Sequence, residues 1–192
     1  VTSLEFGFKG AINNRTNVNA TLFHYDYSDF QVLQVVGIQT VTRNAGDATV
    51  NGLELESVTD INNSLSITSG LTLLDATYGE FLNTNGLQAE LGEQQLEGKY
   101  LNNAPKVSLN LGFNYTTNMS SGSSLIYRAN AAYKSEVFFS EFNEYSQGAY
   151  TIVDLNIIWE NSDKTKRGRF FVKNATDEEY ISGYISAATG GG

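Results

Sequence analysis

The sequence predicts an all-β protein, an antiparallel up-and-down β-barrel whose strands cross a membrane. Three observations carry this reading. Lys106 to Thr117 alternates strictly, with Val107, Leu109, Leu111, Phe113 and Tyr115 at odd positions and Ser108, Asn110, Gly112 and Asn114 at even ones. Successive strand side chains point to opposite faces, so this stretch has one apolar face and one small, uncharged polar face. The pattern recurs in about eight segments. The connections alternate between short polar turns, at 13–15, 60–64, 118–123 and 161–168, and longer excursions, at 28–47, 79–105, 138–148 and from 174 onward. In an up-and-down sheet every second connection lies on the same rim, so the short turns share one rim and the long loops the other. Transmembrane barrels sort their loops this way; a Greek-key sandwich has no reason to.

The first segment, Thr2 to Gly10, sets Leu4, Phe6 and Phe8 against Glu5, Gly7 and Lys9, and ends in the polar turn Asn13-Asn14-Arg15. Thr16 to Tyr27 sets Val18, Ala20 and Leu22 against Asn17, Asn19 and Thr21. Near Phe23 the apolar series shifts to Phe23, Tyr25 and Tyr27, and a β-bulge there would account for the switch. Asp29 to Val41 reads as a long hairpin with its tip near Val36-Gly37, its return strand interrupted at Arg43-Asn44-Ala45-Gly46-Asp47. Val50 to Val58 then places Leu53 and Leu55 opposite Gly52, Glu54 and Glu56. After the turn at Asp60-Ile61-Asn62-Asn63, Leu65 to Tyr78 sets Leu65, Ile67, Leu71 and Leu73 against Ser66, Thr68, Gly70 and Thr72.

Gly79 to Ala104 is the longest irregular stretch, with a short helix expected around Leu87 to Leu91. Pro105 opens the next strand, where a missing N–H costs no ladder bond. Ser124 to Val137 sets Leu125, Tyr127, Ala129, Ala131 and Tyr133 against Arg128, Asn130, Ala132 and Lys134. An acidic, aromatic loop, Phe138 to Gly148, precedes Tyr150 to Glu160, with Val153, Leu155, Ile157 and Trp159 opposite Asp154 and Asn156. Arg169 to Lys173 is a short strand. Asn174 to Tyr180 is a turn with helical character, because Asp177, Glu178 and Glu179 suit a first helical turn. The strand charges Glu54, Glu56, Arg128 and Asp154 mostly sit on the polar face, which fits a wet lumen, and Tyr115, Tyr127, Tyr133, Tyr150 and Trp159 are candidates for interfacial girdles.

Composition narrows the classes. A net charge of −9 argues against a nucleic-acid partner. There is no cysteine, hence no disulfide framework or thiolate metal site. No run of about 18 apolar residues offers a transmembrane helix, which leaves barrel strands open. Val1 is followed by no basic and apolar leader, and Gly190-Gly191-Gly192 closes no element, so residues 1–192 read as one partial barrel domain of something longer.

The order of features resembles the C-terminal part of a TonB-dependent outer-membrane receptor barrel. The matching stretches are Leu4-Glu5-Phe6-Gly7-Phe8-Lys9, Phe23 to Tyr27 with Phe30-Gln31, and Asn44-Ala45-Gly46 leading into Gly52-Leu53-Glu54-Leu55-Glu56. Asn103-Ala104-Pro105 opening a strand and Val172-Lys173-Asn174-Ala175-Thr176-Asp177-Glu178-Glu179-Tyr180 complete the series. The resemblance implies a barrel of roughly 22 strands with a plugged lumen, of which this chain supplies part of the wall and some ligand-side loops. It implies an importer of a large scarce nutrient, commonly a ferric siderophore, sometimes cobalamin or a glycan. It would be energised by the TonB–ExbB–ExbD complex through parts not present in this sequence, and would carry no cofactor. A soluble lectin- or adhesin-like β-sandwich and a passive porin are the alternatives.

For ligand contact, the loop aromatics Phe138, Phe139, Phe142 and Tyr145 are the candidates under that resemblance. Glu54, Glu56, Arg128, Lys134 and Asp154 are the candidate lumen-facing polar residues, expected to pair with one another or with a plug. Gly7, Gly52, Gly70 and Gly112 are expected to thin the lumen wall. His24 and Asp26 share a strand face, but no nucleophile is spaced to join them, so a hydrogen-bonded histidine is expected rather than catalysis. Glu80, Glu90, Glu93 and Glu97, with Lys99, lack the Asp-x-Asp-x-Asp-Gly calcium pattern and read as a solvated acidic loop.

Overall fold

A computed structural model of the chain describes residues 1–29, 31–36, 39–44, 46–85 and 88–184. The strands are β1 (Thr2–Asn13), β2 (Thr16–Tyr27), β3 (Gln31–Val36), β4 (Gln39–Asn44), β5 (Ala48–Asp60), β6 (Leu65–Tyr78), β7 (Leu82–Thr84), β8 (Glu93–Gln95), β9 (Val107–Asn118), β10 (Ser124–Lys134), β11 (Val137–Phe138), β12 (Ser146–Gln147), β13 (Tyr150–Glu160) and β14 (Arg167–Val172). β1, β2, β5, β6, β9, β10, β13 and β14 form one eight-stranded sheet in that order, every pairing antiparallel. The other strands pair as the hairpins β3–β4, β7–β8 and β11–β12. Each hairpin lies inside one of the long connections, so the two rims differ as the sequence predicts.

The register fixes two faces. Phe8, Ala20, Leu55, Leu71, Leu109 and Tyr133 are successive cross-strand neighbours on one. Lys9, Asn19, Glu56, Gly70, Asn110 and Ala132 are neighbours on the other. The apolar face is bare: Leu4 is 71% exposed, Phe6 78% and Phe170 67%. Burial is concentrated at the long-loop rim instead, where Tyr78, Phe81, Leu96 and Phe142 form a small core against Val32 and Leu101. A sheet that leaves its apolar face uncovered needs an apolar solvent.

Four local expectations change. The register of β2 runs unbroken through Phe23 on both sides, so no bulge lies there; the irregularity is between Ala11 and Asn13. Phe23 and Tyr25 belong to the polar face, and the Phe23 ring occupies the space that a Cβ on Gly52 would need. Tyr150 also lies on the polar face, opposite Lys134, by its even spacing from Asp154 and Asn156. The stretch after Gly79 is ordered by β7, β8 and a single 3₁₀ turn, Ala89–Leu91. Residues 174–180 turn as expected but without the helical character, since Asn174 and Asp177 take left-handed φ of 48° and 52°. Phe30, Gly37, Ala45, Leu87 and the closing glycines lie outside the described residues.

Candidate functional site

The long-loop rim holds the ordered loop structure. Tyr78 ends β6 on the polar face, and its ring meets Phe81 at 5.4 Å, extending the small core away from the wall. Two loops that are distant in sequence close over this core. Asn83 Nδ2 donates to Glu141 Oε1 at 3.1 Å and Asn85 Nδ2 to Glu144 Oε2 at 2.8 Å. Asn143 imitates a strand: its Oδ1 accepts from Tyr100 N at 2.7 Å, and its Nδ2 donates to Tyr100 O at 2.9 Å. Lys99 donates to Phe142 O at 2.8 Å, so the acidic loop's lysine clamps loops rather than pairing with glutamates. Glu80, Glu90, Glu93 and Glu97 are all exposed. Among the described residues no group of three His, Asp or Glu side chains is placed to hold a metal ion.

The segment after β14 runs along the polar face. Asp154 accepts from Asn174 N at 2.9 Å, and the Asn174 side chain closes the turn onto Glu178. Higher up, Tyr180 stacks on Tyr150 (4.6 Å, 9°), Ile181 N donates to Gln147 Oε1 at 2.8 Å, and Tyr184 stacks on Tyr145 (4.4 Å, 22°). The hydrogen bond between those two hydroxyls, and then the nearness of the second phenol, hold the Tyr145 phenol above its ordinary pKa. Between this strap and the wall lies a hollow of about 310 Å³, lined by Lys134, Phe139, Tyr150, Tyr180, Ile181 and Ser182 among others.

The predicted site residues separate. Phe142 is buried in the loop core, Phe138 stacks on Tyr100 (6.0 Å, 7°), Tyr145 meets Tyr184, and Phe139 lines the hollow. On the polar face, Glu56 accepts from Asn19 Nδ2 at 3.2 Å and Arg128 Nε donates to Asn114 Oδ1 at 3.1 Å. Among the described residues no ion pair joins Glu54 or Glu56 to Arg128 or Lys134. β6 and β9 stand between them, so the gap is three strand spacings, about 14 Å. Of the four glycines, Gly52 makes room for Phe23 and Gly112 for the Thr68 hydroxyl, whereas Gly7 and Gly70 have ordinary space. His24 lies on the apolar face with both ring nitrogens engaged, Nδ1 with Asn51 at 2.7 Å and Nε2 with Asp26 at 3.0 Å.

A family model described as TonB dependent receptor-like, beta-barrel matches residues 1–175. The chain belongs to this family. No curated protein matches this TonB-dependent receptor-like chain by sequence. Solved structures match its fold. The ferric yersiniabactin uptake receptor FyuA from Yersinia pestis is 18% identical with a TM-score of 0.78, over 97% of this chain and 26% of that one. The siderophore receptor PiuA from Acinetobacter baumannii is 20% identical with a TM-score of 0.70, over 93% and 24%. BauA, the ferric preacinetobactin receptor of Acinetobacter baumannii, is 16% identical with a TM-score of 0.68, over 93% and 25%. The chain therefore spans about a quarter of each of these receptors. As TonB-dependent receptor barrels are outer-membrane proteins, the bare apolar face is the band that meets outer-membrane lipid.

Sequence reasoning missed Tyr180, Tyr184 and Asn143. Tyr150 and Tyr180 are joined only because β14 is short and Asn174 turns the chain back, and no periodicity carries that signal. Asn143 reads in sequence as an ordinary loop residue.

Proposed function

We propose that this chain is wall and outer-loop layer of an active transporter that imports a ferric siderophore, energised by the TonB–ExbB–ExbD complex through other parts of the receptor. It carries out no enzymatic chemistry. The observation that carries the reading is the division of labour between the rims: short turns on one, and on the other three hairpins, two of whose loops are locked over a buried core. A passive porin needs no such ordered layer for selection by size. The names of the three structural neighbours support the siderophore class. On this reading Glu54, Glu56, Arg128, Lys134 and Asp154 line the lumen, with Arg128 and Glu56 held by asparagines and so preset for a plug or a passing ligand.

Cysteine labelling in the receptor's own membrane tests the wall. With single cysteines at Leu109, Asn110, Leu111 and Glu93, a charged maleimide should label Glu93→Cys strongly. Leu109→Cys and Leu111→Cys should stay silent and be quenched by lipid-borne probes. Protection of both without lipid quenching, in a protein that stays soluble without detergent, would mean a sandwich core. Ferric-siderophore uptake that persists when TonB is deleted would make the barrel a porin.

A further inference from the structure

We infer that the outer surface of the wall carries a seat for one glycolipid, with an acyl chain in an apolar hollow across β1, β2, β5 and β6 and sugar hydroxyls on Asp75. The inference needs only the membrane wall and goes beyond the importer reading, since it is independent of what the receptor carries. It starts from adjacent cross-strand rows on the apolar face. Phe6, Leu22, Leu53 and Leu73 form one row, and Leu4, His24, Asn51 and Asp75 form the next towards the long-loop rim. The row beyond is Thr2, Asp26, Thr49 and Thr77. The face therefore turns from apolar to polar within one two-residue step, about 7 Å along the strands. A carboxylate facing hydrocarbon is costly, so the edge of the hydrocarbon falls between the Leu73 row and the Asp75 row.

The hollow straddles that edge. Its volume of about 450 Å³ is in the range of ligand sites, its lining is chiefly apolar, and both rows contribute to it, with Lys106 beside them. A lipid has the same polarity along its length, a chain at one end and a headgroup at the other. The polar end selects the headgroup. His24 joins Asn51 at 2.7 Å and Asp26 at 3.0 Å, and the Thr49 hydroxyl donates to Asp26 at 3.3 Å, so these four are already engaged with one another. Asp75, opposite Asn51 in the ladder, is exposed and makes no hydrogen bond or ion pair among the described residues. An ionised carboxylate only accepts, so it calls for hydroxyl or N–H donors. The Lys106 ammonium lies 3.9 Å from the centre of the Tyr100 ring. Asp26 and Asp75 outnumber that ammonium, and like charges brought together repel, so the polar end favours a neutral polyol over a phosphate.

The test uses the whole receptor, purified and delipidated in a detergent without a sugar headgroup. The probes are a monoglucosyl diacylglycerol and a phosphatidylglycerol with the same chains, and native mass spectrometry reads the fraction of receptor retaining one lipid. Wild type should retain the glucolipid in preference to the phospholipid. Asp75→Leu should weaken glucolipid retention about tenfold or more, the loss of a charge-assisted contact, and leave phospholipid retention unchanged. Leu22→Trp, which fills the hollow from an exposed position, should abolish the preference. Leu155→Trp, on the apolar face of β13 and outside the lining, should leave it intact. Heat-modifiable gel migration verifies that each variant has folded. Equal retention of the two lipids by wild type, or a preference for the phospholipid, overturns the headgroup assignment and with it the seat. Glucolipid retention that is the same in wild type, Asp75→Leu and Leu22→Trp means unspecific coating of the apolar band and overturns it as well. Ferric-siderophore uptake does not enter this readout, so failure of the importer reading leaves the seat standing.

Discussion

Gly46 and Gly52 each face a neighbour that fills the space of a Cβ, yet substitution should fall on them differently. At Gly52 the obstacle is the far edge of the Phe23 ring, which can swing, so Gly52→Ala should cost about 1 kcal/mol and loosen the Phe23–Tyr25 stack. At Gly46 the obstacle is the Glu80 carbonyl, and φ is +71°, so Gly46→Ala meets backbone in a left-handed conformation. It should cost about 2 kcal/mol or more, seen as faster proteolysis of the 79–105 loop. In the short turn before β14, Asp163 accepts from the Thr165 hydroxyl at 2.6 Å and the Thr165 amide at 3.1 Å, which lowers its pKa. A carboxylate with a depressed folded pKa steadies the turn above the ordinary aspartate range and releases it as pH falls through the lowered value. Carboxyl carbon NMR should find Asp163 still ionised where ordinary aspartates protonate, and Thr165→Val should raise its midpoint. None of this was legible in sequence beyond the presence of glycine. Phe142 shows why: it looked like a free loop aromatic, and its burial depends on Leu96 and Tyr78, which only the fold brings near.

The long strands were legible because a period of two over 11 to 14 residues leaves little ambiguity. The hairpins within the loops were not, because β7 and β8 have three residues each and β11 and β12 two, too few to show alternation. Where β2 misled, the cause was a change of aromatic content along one face near the rim, which mimics a change of register. The faces themselves give an element-scale prediction. Leu111→Arg should destabilise the barrel by about 2–4 kcal/mol if the site lies near the bilayer midplane, and Asn110→Arg by far less, measured by urea unfolding in lipid vesicles. The loop clamp gives another. Asn143→Ala removes both bonds to the Tyr100 backbone, so amides in 79–105 and 139–149 should exchange faster together, with the wall strands unchanged in hydrogen-exchange mass spectrometry.

At the scale of the whole molecule, the sheet has two edges, β1 and β14, each paired on one side only among the described residues. Together with the bare apolar face, this makes the 192-residue chain by itself a poor water-soluble species despite its charge of −9. Expressed alone, it should sediment as aggregate in buffer and remain dispersed only with detergent, as analytical ultracentrifugation would report. The strand order carries a different consequence. Every strand of the wall is bonded to its nearest wall strands along the chain, and no strand crosses over another. A duplicated or deleted pair of strands would therefore leave every other pairing as it is. The circumference of such a pore can change in whole-hairpin steps during evolution, while the loop layer above each hairpin diversifies independently of the wall beneath it.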